Sequence, residues 1–183
     1  QLADDPFGYA VPGMRPFQGS IDARFDSLDD AHDAVGGLGA RLSSLVHVDL
    51  SGAFWGTDQV IIPCEPTPVR YQYLMRRKLG TTHRQYLDYY FPHHRRFGHR
   101  TPGIEGYVQF HIDGAASHAV ATAAGVGLWA ADSVSELHAA DLGTMLEGFG
   151  KDPELAVAAG ADEELFVDRA NSVMFISDVV LRA

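Results

Sequence analysis

The stretch from Val69 to Asp113, VRYQYLMRRKLGTTHRQYLDYYFPHHRRFGHRTPGIEGYVQFHID, reads as strand, helix, strand. Val69, Tyr71, Tyr73 and Met75 alternate with Arg70, Gln72 and Leu74, the period-two pattern of a strand. Thr82, followed three residues later by Gln85, has the spacing of a capping box and marks a helix start. Tyr86, Tyr89, Tyr90, His93 and Phe97 then recur at helical spacing, and Pro92 is expected to end or kink that helix. Thr101-Pro102-Gly103 signals a turn. From Ile104 to Ile112 the alternation returns, with Val108, Phe110 and Ile112 on one face and Tyr107, Gln109 and His111 on the other. The first face reads as core. The second suits the wall of a ligand cavity, because buried polar groups need partners.

Around this unit the signals are weaker. Residues 1–20, rich in Pro, Gly and Asp, read as a loop or arm. Ser20 to Phe25 reads as a short strand, and Ser27 to Leu38 as a helix capped by Asp26 or Ser27. Thr57 to Pro63 is a further strand, and Cys64 to Pro68 a linker. Beyond the central unit, Gly125 to Ala130 reads as a strand, Val134 to Phe149 as a helix and Ser172 to Leu181 as the last strand. Asp26-Ser27 with His32 matches Asp132-Ser133 with His138, a short internal repeat. On that reading residues 67–183 form a complete ferredoxin-like domain, and residues 1–66 an N-terminal arm with a partial half-repeat. Counterparts of Tyr71 through Arg100 would then lie before Gln1, unless the half-repeat pairs with a neighbouring copy.

Composition bounds the function. The chain has 183 residues, 46% of them hydrophobic, enough for a packed core. A net charge of −10 argues against a nucleic-acid partner held by phosphate contacts. No apolar run approaches the roughly 18–20 residues of a membrane span, so no membrane partner is expected. Cys64 is the single cysteine, which makes the cytoplasm the expected location and leaves no zinc spacing. The absence of GxSxG, P-loop, strand-to-helix GxGxxG and HExxH motifs argues against serine hydrolases, NTPases and Rossmann oxidoreductases. Basic residues gather in the central unit: Arg70, Arg76, Arg77, Lys78, Arg84, Arg95, Arg96 and Arg100. They form either a solvated face or a rim that attracts an acidic or phenolate substrate.

Several pieces then occur together in order. They are Arg77-Lys78-Leu79-Gly80-Thr81, Tyr86-x-x-Tyr89-Tyr90, His94, and Pro102-Gly103-Ile104-x-x-Tyr107-Val108-Gln109. Gly127-Leu128-Trp129, Asp132-Ser133 and Phe166-Val167-Asp168-Arg169 follow. Together they resemble the EthD family over roughly residues 69–183. The chain departs from the family's usual pattern in having Arg95-Arg96 where a proline often follows the histidine, and Asp178 where Glu is common. The resemblance implies an α+β fold in which ferredoxin-like repeats close into an α/β barrel of the dimeric type. Its sheets are antiparallel, its helices lie outside, and a cavity lies in each half. The pairing would be that of a homodimer or of two repeats within one chain.

The candidate residues follow from both readings. His94 aligns with the family histidine, and an imidazole gives or takes a proton near neutrality. Its alternative is to cap its own helix C-terminus. His111 and Tyr107, on one strand face with Gln109 between them, would polarise or orient a substrate oxygen; alternatively His111 reaches solvent. Tyr71, Tyr73, Tyr90, Gln109 and Trp129 are expected to line the substrate cavity. Adjacent His93 and His94 diverge by about 100° on a helix, so they do not share a metal. His94, His99 and His111 have weak spacing for a metal set, and no metal or cofactor is expected. His83 and His118 are weaker candidates, His32 and His138 are expected on helix surfaces, and Asp168-Arg169 as a local ion pair or cap.

The expected activity is cofactor-independent proton-transfer chemistry, namely dehydration, cyclisation or isomerisation, on an apolar aromatic or polyketide-like molecule. A cofactor-free monooxygenase and a non-catalytic barrel that binds a hydrophobic ligand are the alternatives.

Overall fold

The computed structural model describes residues 17–180. Five strands, β1 (Gly56–Ile62), β2 (Val69–Met75), β3 (Gly106–Ile112), β4 (Ser133–Ala139) and β5 (Val173–Asp178), form one sheet in the order β1-β3-β4-β2-β5. Every pairing is antiparallel. Strands β2 to β5 alone have the ferredoxin-like arrangement: β2 and β3 run in the same direction with β4 between them, and β5 lies outside β2. The fold is therefore α+β, as expected, and β1 extends the sheet beyond β3.

The helices are α1 (Leu28–Val35), α2 (Leu38–Leu42), α3 (His83–Tyr89), α4 (Arg95–Gly98), α5 (Gly114–Ala124), α6 (Leu142–Lys151) and α7 (Pro153–Phe166). Local chemistry sets several of their starts. Ser27 caps α1, and Thr82 and Gln85 complete a reciprocal capping box on α3. Asp152 caps α7, with Pro153 in the first turn, where its missing N–H costs nothing. Between α3 and α4 the chain makes a π-helical turn, Tyr90–His94, around Pro92. The expected interruption of the helix is thus present. It swells the helix by a residue rather than ending it.

Four expectations need correction. Ser20 to Phe25 joins no strand; it runs as an arm whose side chains bond the sheet, Ser20 Oγ donating to Gln72 Oε1 at 2.8 Å and Asp22 pairing with Arg70. Gly125 to Ala130 is loop, and the strand begins eight residues later at Ser133. The segment SVSELHA, expected as the start of a helix over Val134 to Phe149, is strand β4 because both of its edges are taken up by β2 and β3. Tertiary pairing overrides local propensity there. The internal repeat fails with it: Ser27 caps a helix, whereas Ser133 opens a strand, and His138 lies on that strand, half-buried. Helices α2, α5 and α7 are additional to the sequence reading. Asp113 caps α5 and Gly125 ends it at φ 71°, a left-handed value that glycine adopts freely.

The faces of β3 are also the reverse of the expectation. Tyr107, Gln109 and His111 point beneath the helices, and Val108 and Phe110 lie half-buried on the other face. On the helix side Tyr73, Met75, Tyr86, Tyr90, Phe166 and Val167 make one core cluster, and Val69, Ala139, Met145 and Ile176 a second. Tyr86 and Tyr90 stack at 5.6 Å, and Tyr90 and Phe166 at 5.7 Å. Such pairs each add about 0.5–1.5 kcal/mol beyond the area they bury.

At Gly98 this packing leaves no room. A Cβ there would lie 2.2 Å from Tyr107 Cδ1. Gly98→Ala is expected to cost about 1–3 kcal/mol through overpacking. A lowered thermal midpoint checks this, and an unchanged midpoint would show that Tyr107 can move aside.

Candidate active site

The π turn decides which histidine faces inward. His93 is exposed, whereas His94 is 9% exposed and sits among Tyr90, Phe97 and Phe166, with ring centroids 5.2–5.9 Å away. Its Nδ1 lies 2.8 Å from Asp162 Oδ2 on α7. A carboxylate only accepts, so Nδ1 carries the proton and donates it, which leaves the Nε2 lone pair open. Asp162 is itself buried and takes two more bonds, from the Tyr89 hydroxyl at 2.9 Å and Arg96 Nη2 at 2.8 Å. Histidine and carboxylate therefore form an oriented pair. His94 does not act as a cap for its own helix.

Glu163, the next residue of α7, completes the centre. Its Oε1 stands 3.9 Å from His94 Nε2, and its Oε2 stands 3.8 Å from Arg169 Nε. Burial pushes the Glu163 carboxyl up to about 7, against the pull of the Arg169 guanidinium. Burial lowers His94, opposed by its bond to Asp162. The two environments thus push a base and an acid in opposite directions. Arg169 turns to Glu163 and Glu164 rather than to Asp168, which accepts from Asn171 instead.

The strand residues form the floor. Gln109 Nε2 donates to the Tyr107 hydroxyl at 2.7 Å, and His111 Nε2 lies 3.3 Å from Gln109 Oε1. Because that amide oxygen accepts, His111 holds its proton on Nε2. Burial, with His83 nearby, brings His111 down to about 4, so it is neutral and weakly basic at pH 7. Burial also raises the Tyr90 and Tyr107 phenols, which stay protonated. Among the described residues, the buried hydroxyls of Tyr73 and Tyr90 have no hydrogen bond of good geometry. They lie close to polar neighbours, Tyr73 to Ser172 and Arg169 and Tyr90 to Tyr107 and Ser135.

Seven of the eight residues expected from sequence, namely Tyr71, Tyr73, Tyr90, His94, Tyr107, Gln109 and His111, share the layer between helices and sheet. Trp129 does not. It stands in the loop after α5 and lines two cavities there. Sequence reasoning missed Asp162 and Glu163. The Asp152-Pro153 helix start was a readable sign of α7, but an acidic pair on a helix looks like solvated surface until the tertiary fold buries it. Among the described residues no group of three or more His, Cys, Asp or Glu side chains is placed to hold a metal ion. None of the described helices is long and apolar enough to cross a membrane.

Glu163→Gln gives a signed test of the buried carboxyl. An acid raised from about 4.3 unfolded to about 7 folded costs nothing below the lower value; its cost grows as pH rises between the two and levels off above the upper one. Glutamine cannot ionise. The variant is expected to match the parent near pH 4 and to exceed its stability by about 3–4 kcal/mol at pH 8. Denaturant midpoints at the two pH values check this. A difference independent of pH would mean that the carboxyl titrates normally.

A family model described as the EthD domain matches residues 78–170, just over half of the chain. The matched span runs from the end of β2 through α7 and includes His94, Tyr107, Asp162 and Glu163. A search of curated proteins found no match. The motif order, the ferredoxin-like sheet and the matched domain agree, and this chain belongs to the EthD family.

Proposed function

We propose that the chain is a cofactor-independent enzyme that performs proton transfer on an apolar, aromatic or polyketide-like molecule, with loss of water as the leading reaction. One observation carries this reading: His94, oriented by Asp162, turns Nε2 to within 3.9 Å of Glu163, a carboxyl raised to about 7. Near neutrality the first is a free base and the second is protonated in about half of the molecules, an assignment that follows from environments pushing two groups apart.

In the elimination, His94 Nε2 takes a proton from a carbon next to the one bearing a hydroxyl. The C–H electrons form the double bond, the C–O bond breaks, and Glu163 protonates the departing oxygen to give water. Return of the proton from His94 to Glu163 restores the starting state. Tyr107, held by Gln109, orients a substrate oxygen, and Tyr71, Tyr73, Tyr90 and His111 supply walls and donors. Cyclisation or isomerisation would use the same base and acid without net loss of water. The substrate partner is a small molecule, and pairing of two copies is part of the proposal.

Mass spectrometry of cells lacking the protein, restored with either wild type or His94→Ala, tests it. A precursor heavier than the lost product by one water supports dehydration, and equal masses support cyclisation or isomerisation. Restoration of the profile by His94→Ala would overturn the assignment. A precursor lighter by one oxygen would point to an oxygenase. No accumulation would favour a binding role.

A further inference from the structure

A second cluster lies away from His94, where the chain adds to the basic ferredoxin-like plan. That plan joins its two middle strands directly; here α5 and the loop of residues 125–132 are inserted between β3 and β4. The insertion and the end of β2 enclose a cavity of about 390 Å³, within the range of roughly 300–1,000 Å³ typical of small-molecule sites. Its apolar walls include Trp129, Leu128, Ile112 and Ala121, and at one end stand Arg77, His83 and Asp132.

That polar end is built, not incidental. Asp132 is 5% exposed. One of its oxygens takes the Arg77 backbone N–H at 2.8 Å, and the other takes both the Arg77 guanidinium and His83 Nδ1, the latter at 2.8 Å. Two side chains converging on one oxygen are set side by side. Arg77 is pinned a second time, its Nε donating to the Thr81 carbonyl at 3.0 Å. The guanidinium is therefore fixed, with Nη2 not engaged by any described residue. His83 donates through Nδ1 to the carboxylate, so its Nε2 presents a lone pair. A fixed cationic donor beside an imidazole nitrogen, at the end of a slot walled by an indole, is a recognition pattern. It matches a carboxylate and a hydroxyl on adjacent positions of one flat ring.

We propose that this cavity is a second small-molecule site, which takes a planar hydroxylated aromatic carboxylate. The ring lies against Trp129 and Leu128, the carboxylate binds Arg77 Nη2, and the hydroxyl donates to His83 Nε2. The site uses none of the groups assigned to the His94 chemistry.

Calorimetric titration of the full chain with 3-hydroxy-2-naphthoate tests the assignment, with 2-naphthoate and 2-naphthol as probes lacking one group each. One saturable site is expected, with both simpler probes weaker. Arg77→Met, which keeps the aliphatic stem, is expected to weaken binding about tenfold or more, and His83→Phe by about fivefold. Leu128 is 62% exposed, so Leu128→Trp folds normally while filling the slot, and it is expected to abolish binding. His94→Asn is expected to leave binding unchanged. Absence of saturation up to about 5 mM probe would overturn the proposal. So would binding that survives Leu128→Trp, or binding lost in His94→Asn, which would place the probe beneath the helices instead.

Discussion

Turnover of the accumulating precursor is expected to fall by about 10²–10⁴-fold in His94→Asn, the usual worth of a positioned general base. Asparagine is chosen because its amide N–H can replace Nδ1 as the donor to Asp162, so the carboxylate keeps its partner. What disappears is Nε2, the atom 3.9 Å from Glu163 Oε1. His94→Ala should lose as much activity and also destabilise the protein, since it opens a cavity among Tyr90, Phe97 and Phe166 and strips Asp162 of a bond. Purified variants assayed for rate and thermal midpoint separate the two effects. Full activity in His94→Asn would remove His94 from the chemistry, and equal midpoints for both variants would show that the imidazole is not packed as described.

Asp162 is a positioning residue, and its two substitutions should diverge. Asp162→Ala removes the acceptor for His94, Tyr89 and Arg96 at once, and so the tie between α7 and the π turn. A cost of about 2–4 kcal/mol is expected, below that of a fully buried ion triad because Arg96 is 59% exposed and regains water. Asp162→Asn keeps the volume. Its amide oxygen still accepts from Arg96 and Tyr89 while its N–H turns to His94, which then carries its own proton on Nε2. Stability should stay within about 1 kcal/mol while the rate falls by about 10²–10⁴-fold, the effect of the wrong tautomer. Nitrogen NMR of the His94 ring reads that tautomer directly. Retained activity with the ring protonated at Nε2 would contradict the proposed base.

The legible part of this chain was the part whose signals are local. The alternations of Val69–Met75 and Gly106–Ile112 and the Thr82–Gln85 box concern residues within a few positions of each other, and each appears as expected. What failed depended on pairing. SVSELHA is a strand because β2 and β3 flank it, and its serines and histidine say nothing of that. Gly114–Ala124, made of small residues, has little amphipathic pattern to mark it, although Asp113 and Gly125 stood at its ends. Asp162 and Glu163 belong to the site only through contacts 68 and 69 residues away in sequence, and no motif spacing links them to His94. Trp129 was grouped with the tyrosines by chemistry alone and lies elsewhere.

The π-helical turn at Tyr90–His94 makes this region more sensitive to length than to composition. Such a turn holds one residue more than the α-helix around it. Deleting a residue at Pro92 would restore a continuous helix and rotate everything after it by about 100°. His94 would swing off Asp162, and Arg95 or His93 would be presented to the sheet instead. Exchanging side chains at 91 or 93 leaves that register untouched. Single-residue deletions across 88–96 should therefore abolish function as a block, while substitutions at the exposed positions of the same segment are tolerated.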